Sequence, residues 1–367
     1  MAAVQGEVEG TGEAREAARQ AAAGAGLRYV TDAGPGLRRR GRGKGFSYHR
    51  EDGGRLEDAR TLARIRSLAI PPAWSDVWIS PDPRGHVQAT GRDDRGRKQY
   101  RYHADWQARR GEDKYDRVLA FGRALPEIRR QTKAHMGGTP CGRRTVLATV
   151  VRLLETTLIR VGNARYAREN RSYGLTTLRR RHVEVEGGAV TFEFVGKGGR
   201  KHLIELTDRR AARVIGQLQD LPGQELFQYV DRDGARHAIG SDEVNDYLRE
   251  LAGEPFTAKD FRTWAGTVLA AWALSEFEEI DSEAAAKRNI RWAVERVATR
   301  LGNTPAVCRR SYVHPEILGA YLDGSLVGSL RDRIADRLRR DLSGLSPEEV
   351  AVFLLLQRRL EAASTAG

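Results

Sequence analysis

Residues 182–206 constrain the fold more than any other stretch of the sequence. They read HVEVE, GG, AVTFEFV, GKGGR and KHLIEL, three runs rich in β-branched and aromatic residues that are separated by two glycine-containing turns. Runs of this kind, joined by short glycine turns, are typical of antiparallel hairpins. We therefore expect a three-stranded antiparallel sheet here, with Lys197 at the tip of its second turn.

Helical periodicity dominates the sequence around these runs. Residues 143–162 place apolar side chains every three or four positions and stop at Gly162, which predicts a helix with Arg160 at its end. The second half of the chain is therefore expected to be mainly helical. Further helices are predicted over 208–220, 241–252, 257–277 and 283–301, followed by a short one around Tyr312.

The first part of the chain has a different pattern of turns and apolar residues. Residues 27–134 contain glycine- and proline-rich turns between short alternating runs, such as those in GFSYHREDGGRL and RKQYRYH. One helical stretch, EDARTLARIRSL, ends at Pro71–Pro72. The predicted fold class is therefore α+β, with a small β-rich N-terminal domain and a mainly helical second domain that contains a three-stranded sheet.

Composition divides the chain into five segments. The first residues are rich in alanine, glycine and glutamate, which indicates a disordered or loosely helical tail, and HMGGTPCG has the composition of a linker. The predicted segments are the tail at 1–26, the β-rich domain at 27–134, the linker at 135–142, the helical domain at 143–325 and a charged helical extension at 326–367.

The charge of the chain indicates its partner. Lysine and arginine number 62 against 49 acidic residues, which gives a formal net charge of +13. An excess of this kind acts on partners rather than on the fold, and its default partner is nucleic acid. Clusters at Arg38–Lys44 and Arg179–Arg181 favour a nucleic-acid-binding surface over a merely solvated basic one. No apolar run approaches the ~20 residues of a membrane span, so we expect no membrane partner.

Several common chemistries have no motif in this sequence. HExxH, paired CxxC, an EF-hand loop and GxGxxG are missing, and GLRRRGRGKG lacks the P-loop spacing. The two cysteines, Cys141 and Cys308, lie far apart, which indicates a reducing cytoplasm. We therefore expect neither a metal nor a cofactor. If the chain breaks phosphodiester bonds, side-chain cations must balance the charge that develops.

A tyrosine near the C-terminal end is a candidate nucleophile. Transfer of a phosphodiester to a phenol needs a positioned tyrosine, cations for the transition-state charge, and an acid for the departing sugar oxygen. Each candidate alone is more often a surface or packing residue, so the hypothesis depends on their order and context together. The candidates are Tyr312 as nucleophile, Arg160 and Arg262 as cations, Lys197 as acid, and Asn303 as a donor to a non-bridging oxygen.

The same segments give the chain a family resemblance. IRVGNARYARENRSYGLTTLRRRHV, FVGKGGRKH, KDFRTW and NTPAVCRRSYVHPEIL resemble, in this order, motifs of the poxvirus-like type IB DNA topoisomerases in a bacterial version. LAIPPAW, VWI and GRKQYRYH extend the resemblance into the N-terminal domain. It implies a C-shaped clamp around double-stranded DNA, in which the helical domain is catalytic. It also implies a monomeric, cytoplasmic, nucleoid-associated enzyme that relaxes supercoils without ATP or metal.

The resemblance implies roles for individual residues. Tyr312 would attack a DNA phosphate and form a 3′-phosphotyrosyl link, which the freed 5′-hydroxyl later reverses. Arg160 and Arg262 match the arginines that hold the scissile phosphate, and Lys197 matches the general acid. Asn303 stands where the poxvirus enzymes have a histidine. Because an asparagine amide can donate a hydrogen bond but cannot become a cation, we expect it to orient and stabilise the phosphate.

Five further positions are candidates for DNA contacts. Lys259 matches a family lysine near the scissile phosphate, and Gly162 and Tyr166 match family positions beside the first arginine, where DNA contacts are made. Tyr100 and Tyr102 belong to the alternating basic and aromatic run RKQYRYH. Packing explains the three tyrosines equally well.

Two alternatives to a topoisomerase stay open. A tyrosine recombinase shares the fold and the chemistry, but its usual motif has histidine at the position of Lys259. The other alternative is a DNA-binding clamp without catalysis.

Overall fold

The computed structural model describes residues 12–42, 45–94, 96–277, 282–331 and 344–366. It combines helices with small antiparallel sheets, which confirms the predicted α+β class. The chain forms two compact units, Met1–Asp116 and Arg117–Gly367. The finer segment bounds and the clamp stay predictions. The predicted tail and extension lie partly outside the described residues, at 1–11 and 332–343.

The first unit is built on a five-stranded antiparallel sheet with the order β2-β1-β3-β4-β5. Its strands are β1 Leu37–Arg42, β2 Gly45–His49, β3 Ser75–Ile79, β4 Val87–Arg92 and β5 Lys98–Tyr102. Two helices, α1 Gly12–Gly24 and α2 Ala59–Ser67, accompany the sheet. The sequence patterns predict α2 and the other strands, but they do not predict β1.

Alternation along β3 gives this sheet two packed faces. Trp78 packs in a cluster with Trp106, whereas its neighbours Val77 and Ile79 pack in a second cluster with Ile65 of α2. Successive side chains of a strand point to opposite faces, so a single strand serves both clusters.

Alternation also divides the basic run in β1. Arg39 donates hydrogen bonds to the carbonyl oxygens of Pro71, at 3.0 Å, and Trp74, at 2.5 Å. Arg38 and Arg40 point to the other side and are exposed. Within the predicted basic cluster, Arg39 therefore fixes a loop, and its two neighbours are available to phosphates.

The second unit is mainly helical, as predicted. The predicted helices at 208–220, 241–252, 257–277 and 283–301 are confirmed, but the long α3 is not among the predicted helices. The helices are α3 Ala104–His135, which begins before the division between the units, α4 Arg143–Thr157, α5 Ala164–Asn170, α6 Arg209–Gln219, α7 Ser241–Ala252, α8 Ala258–Ser275, α9 Glu283–Leu301, α10 Pro305–Ser311, α11 Pro315–Leu322, α12 Ser325–Arg331 and α13 Pro347–Ala366.

The predicted three-stranded sheet is present in this unit, with the order β6-β7-β8. Its strands are β6 Val183–Glu186, β7 Ala189–Val195 and β8 Lys201–Thr207. Lys197 lies in the turn between β7 and β8, as expected. A second, two-stranded sheet pairs β9 Gln228–Val230 with β10 Arg236–Ala238.

Helix α8 is the central helix of the second unit, because it packs against α4, α7, α9, α11, α12 and α13. An ion-pair network holds one side of it. Arg129 of α3 binds Glu155, at 2.5 Å, and Glu349 of α13, at 2.8 Å, and Glu349 also accepts a hydrogen bond from Trp264 of α8 at 2.8 Å. This partly buried network fixes the helix that carries Arg262.

Candidate active site

Arg160 lies in an extended segment and not at the end of a helix. The prediction of a helix that reaches Gly162 is wrong, because α4 ends at Thr157 and Leu158 turns the chain with a left-handed backbone, φ 56°. The Nη2 atom of Arg160 donates to the carbonyl oxygen of Gly302, at 3.1 Å, and to Oδ1 of Asn303. The early turn therefore directs this guanidinium toward the segment that follows α9.

Backbone carbonyl groups from two segments of the chain hold Arg262. It is only 4% exposed, and it donates to the carbonyl oxygens of Leu158 and of Leu301, the latter at 2.6 Å. Its Cζ atom lies 5.1 Å from the ring centroid of Tyr312. Its Nε atom is buried and has no hydrogen-bond partner among the described residues. One N–H of this guanidinium is thus left for another acceptor.

Asn303 has a defined amide orientation. Gly302 ends α9 with a left-handed backbone, and the N–H of Asn303 donates to the carbonyl oxygen of Ala298 at 2.8 Å. Because an arginine can only donate, the amide atom that faces Arg160 must be the oxygen, Oδ1. The amide nitrogen, Nδ2, is buried and lacks a hydrogen-bond partner in the described part of the chain. The side chain therefore presents a second free donor.

Tyr312 is half-buried at the C-terminal end of α10 and rests on α8. The N–H of Tyr312 donates to the carbonyl oxygen of Cys308 at 2.9 Å. The hydroxyl of Thr267 donates to the carbonyl oxygen of Tyr312 at 3.3 Å. A Cβ atom on Gly266 would lie 2.6 Å from that carbonyl oxygen. The glycine therefore allows the backbone of the tyrosine to approach α8 closely.

A narrow cleft connects the arginines with the β7–β8 hairpin. Arg160 and Arg262 line it from the helical side, and Gly196 and His202 line it from the hairpin. Lys197, the residue after Gly196, is exposed on the turn. The structure thus brings Arg160, Arg262, Asn303 and Tyr312 together, and it places the base of the lysine-bearing turn at the same cleft.

Carboxylates of the described residues do not balance the positive charge of this site. Burial, followed by repulsion from Arg262, lowers the pKa of Arg160 to about 10, so the guanidinium is still charged at neutral pH. Neither arginine forms an ion pair with a carboxylate of the described residues. Two neighbouring cations with free donors attract an anion, and the arrangement suits a phosphate.

The five further candidates for DNA contacts differ in their exposure to solvent. Lys259 is exposed and shares the face of α8 with Arg262, three residues later. Gly162 has φ +102°, which only glycine adopts without strain, and Tyr166 is half-buried in α5. Tyr102 is 8% exposed in a core cluster, and Tyr100 packs against that cluster. For Tyr102, the packing alternative therefore holds, and we do not propose a DNA contact.

Sequence reasoning missed His202, Gly266 and Thr267. A signal for His202 exists in the sequence, because alternation along β8 places it on the same face as Ile204. No comparable signal exists for the other two, since their roles depend on the approach of α10 to α8.

The described residues contain neither a candidate membrane-spanning helix nor a candidate metal site. Within the described ranges, no helix combines the length and apolar character that a membrane crossing needs. No group of three or more His, Cys, Asp or Glu side chains in the same ranges could hold a metal ion.

Comparison with known proteins gives consistent matches. Residues 103–324 match the family model of the catalytic core of eukaryotic DNA topoisomerase I, and residues 45–93 match that of the N-terminal domain of bacterial DNA topoisomerase IB. The DNA topoisomerase 1B of Acanthamoeba polyphaga mimivirus is 32% identical over 293 residues, which cover 78% of this chain and 87% of the viral protein.

Two poxvirus proteins are more distant relatives. The DNA topoisomerase 1B of vaccinia virus (strain Copenhagen) is 24% identical over 172 residues, 46% of this chain and 52% of the viral protein. The DNA topoisomerase 1 of rabbit fibroma virus (strain Kasza) is 24% identical over 295 residues, 76% of this chain and 88% of the viral protein.

The catalytic-core match contains all five predicted catalytic residues, from Arg160 to Tyr312. The match to the mimivirus protein spans most of both chains. The chain belongs to the type IB DNA topoisomerases.

Proposed function

We propose that the chain relaxes supercoiled duplex DNA through a covalent 3′-phosphotyrosyl intermediate on Tyr312, without ATP or metal ions. One observation carries the proposal. Arg262 Nε and Asn303 Nδ2 are buried donors without an acceptor in the described residues, and the Cζ atom of Arg262 lies over the Tyr312 ring. A buried unpaired donor costs about 1–3 kcal/mol. A phosphate beside the tyrosine would give both donors an acceptor.

The reaction can be written with these residues. The Tyr312 oxygen attacks phosphorus, its proton passes to solvent, and the bond from phosphorus to the 5′-oxygen breaks. Arg160, Arg262 and Asn303 stabilise the charge on the non-bridging oxygens. Lys197 gives a proton to the departing 5′-oxygen, and the reverse steps restore the DNA. Because the phosphotyrosyl ester conserves the broken bond, religation needs no nucleotide.

The magnitudes set a clear test of the arginines. Removal of one preorganised donor to a developing oxyanion costs about 3 kcal/mol, which corresponds to a rate loss of ~10²-fold. Arg160→Ala and Arg262→Ala should therefore slow single-turnover cleavage by at least ~10²-fold. A loss below tenfold would remove either residue from direct contact with the phosphate.

Relaxation of a supercoiled plasmid tests the proposal as a whole. The wild-type protein should relax the plasmid in EDTA without ATP, and detergent should trap a DNA–protein adduct during the reaction. Tyr312→Phe should give neither result, although it should still bind DNA. Relaxation by Tyr312→Phe would overturn the proposal. The same assay separates the alternatives, because a recombinase gives adducts only at its own sites and a passive clamp gives none.

Substitutions of Asn303 test its role as a hydrogen-bond donor to the phosphate. Asn303→Ala removes the free Nδ2 donor and also leaves Arg160 without one acceptor, so cleavage should slow by ~10²-fold. Asn303→His keeps a donor and should retain most of the activity. Equal cleavage rates for the alanine variant and the wild type would contradict a role at the phosphate.

A further inference from the structure

His202 lies where the hairpin and the end of α9 meet. It pairs with Phe194 across β7 and β8, and the two rings stack with centroids 5.0 Å apart and planes at 14°. The imidazole is half-buried and lines the cleft together with Arg160 and Arg262. Phe194 therefore fixes the plane of the ring beside the cleft.

Two glycines make room for this ring. A Cβ atom on Gly196 would lie 2.6 Å from Cδ2 and Nε2 of His202, and a Cβ atom on Gly302 would lie 2.8 Å from Cε1. Neither distance is compatible with an undisturbed contact. The residue after Gly196 is Lys197, and the residue after Gly302 is Asn303. The imidazole thus fills the space between the two backbones that carry the predicted acid and the predicted amide donor.

The ring acts through its shape rather than through its charge. Burial, and then the positive charges of Arg160, Arg262 and Arg200, lower the pKa of His202, so the imidazole is neutral at neutral pH. Its nitrogen atoms make no hydrogen bond with the described residues. A neutral ring adds no further cation to a site that already holds two guanidinium groups.

We propose that His202 is a positioning residue for the cleavage reaction: its imidazole spaces the turn of Lys197 from the segment of Asn303. This inference rests on the proposed function of Lys197 as the general acid. Without the ring, the hairpin loses its contact with Gly302, and the ammonium group of Lys197 no longer has a fixed distance to the departing oxygen. A general acid contributes ~10²–10⁴-fold, and displacement by about 1 Å can remove ~10²-fold.

A DNA duplex with sulfur in place of the bridging 5′-oxygen tests this role. A thiolate leaves without protonation, so the reaction on this substrate does not need a general acid. His202→Ala should cleave the normal duplex ~10–100-fold more slowly than the wild type, and it should cleave the sulfur duplex within about threefold of the wild-type rate. Its DNA affinity and melting temperature serve as checks on folding and should stay close to those of the wild type.

Lys197→Ala is the control for the proposed function itself. It should lose activity on the normal duplex and recover it on the sulfur duplex. If Lys197→Ala is not rescued by sulfur, the assignment of the acid fails. If Lys197→Ala is rescued but His202→Ala is not, the acid stands and the positioning role of His202 is overturned. An unimpaired His202→Ala on the normal duplex also overturns it.

A compensating pair keeps the proposal testable if His202→Ala folds poorly. Gly196→Ala places a methyl group against the ring, so it should slow cleavage of the normal duplex by roughly tenfold or more. In the double variant Gly196→Ala/His202→Ala, the methyl group occupies space that the ring has vacated. The double variant should therefore be less impaired than the product of the single effects. Independent, multiplicative losses would contradict a contact between these residues that matters for catalysis.

Discussion

Gly266→Ala should separate the position of the nucleophile from the stability of the fold. The added methyl carbon would lie 2.6 Å from the carbonyl oxygen of Tyr312 and 3.0 Å from its Cβ atom. Ordinary van der Waals contact begins at 3.4 Å, so the tyrosine backbone must retreat by about 0.8 Å, the difference between 3.4 and 2.6. The obstructing atom belongs to the backbone, and a rotamer change of the side chain cannot relieve the contact.

The consequence for catalysis follows from this displacement. A misplacement of about 1 Å in a reacting group can cost ~10²-fold, so we expect Gly266→Ala to slow single-turnover cleavage by about that factor. The effect on stability should be small. Alanine is favoured over glycine inside a helix by about 1 kcal/mol, and overpacking costs about 1–3 kcal/mol.

Gly216→Ala in α6 is the matched control. Its added Cβ atom would have nothing within 4 Å, so it should raise the unfolding free energy by about 0.5–1 kcal/mol and leave cleavage unchanged. The assay is the rate of covalent adduct formation on a short duplex, with noncovalent DNA binding and urea unfolding measured in parallel. Cleavage by Gly266→Ala within threefold of the wild-type rate, at normal stability, would refute the argument that this close approach sets the position of Tyr312.

Three further substitutions test the surrounding structure. Thr267→Val removes the acceptor of the His314 N–H, at 3.2 Å, and should lower the unfolding free energy in urea by about 1–3 kcal/mol; an unchanged value would contradict this. Burial alone would raise the pKa of Glu349, but the Arg129 guanidinium outweighs it and holds the pKa below its ordinary 4.5. The ionised Glu349 therefore stabilises the fold fully above pH 4.5, and this stabilisation is lost as the pH falls through the lower folded-state pKa. Glu349→Gln should reduce the fall of the unfolding free energy at acidic pH. An equally steep fall in the variant would exclude this carboxylate as its source. Arg39→Met leaves loop carbonyl oxygens without their donor, and it should destabilise the first unit by about 1–3 kcal/mol without changing the melting of the second, as measured by limited proteolysis.

Local patterns predict those parts of the fold in which one face of an element is apolar. The strands β6 to β8 and the helices α6 to α9 follow their period of two or 3.6 residues, and the structure confirms them. Strand β1, LRRRGR, has no such period. It is a strand because it pairs with β2 and β3 on its two sides, and this pairing is a tertiary property.

Helix α3 is a second element that was not predicted. It contains glycine and proline, residues that normally interrupt a helix, and its 32 residues are not among the predicted helices, although Val118, Phe121, Leu125 and Ile128 recur at helical spacing. Packing requires Gly122 inside this helix, because a Cβ atom there would lie 2.7 Å from the ring of Trp264. Trp264 in turn binds Glu349, so the reason for this glycine lies in the packing of α8 and α13. A single sequence does not display such a contact.

The sequence predicts which residues form the candidate site, but it does not predict the backbone that holds them. The order of Arg160, Lys197, Arg262, Asn303 and Tyr312 is readable because long motifs surround each residue. The support of these residues is not readable, since Arg160 was expected on a helix and instead follows a left-handed turn at Leu158. The geometry of the site comes from loop conformations and close backbone approaches, which leave little trace in composition or periodicity.

The partners of Arg129, Arg160 and Arg262 explain how one fold keeps some cations for structure and others for chemistry. Arg129 binds two carboxylates, and its charge is neutralised inside the protein. Arg160 and Arg262 are instead held by an amide oxygen and by the carbonyl oxygens of Leu158, Leu301 and Gly302. Carbonyl dipoles can fix the direction of a guanidinium without cancelling its charge.

A carboxylate in place of these carbonyl groups would orient the same guanidinium, but it would compete directly with the DNA phosphate. At about 4 Å, two opposite charges attract with about 4 kcal/mol at an effective dielectric constant of 20, which exceeds the contribution of one transition-state donor. Gly302→Asp and Asn303→Asp would both bring an acidic group to this segment. Asn303→Asp preserves the shape of the side chain and the contact with Arg160, but it replaces the Nδ2 donor with a negative charge. It should therefore slow cleavage well beyond the ~10²-fold loss expected of Asn303→Ala, while raising thermal stability. Retained cleavage by Asn303→Asp would show that orientation, rather than an unbalanced charge, is what the site supplies.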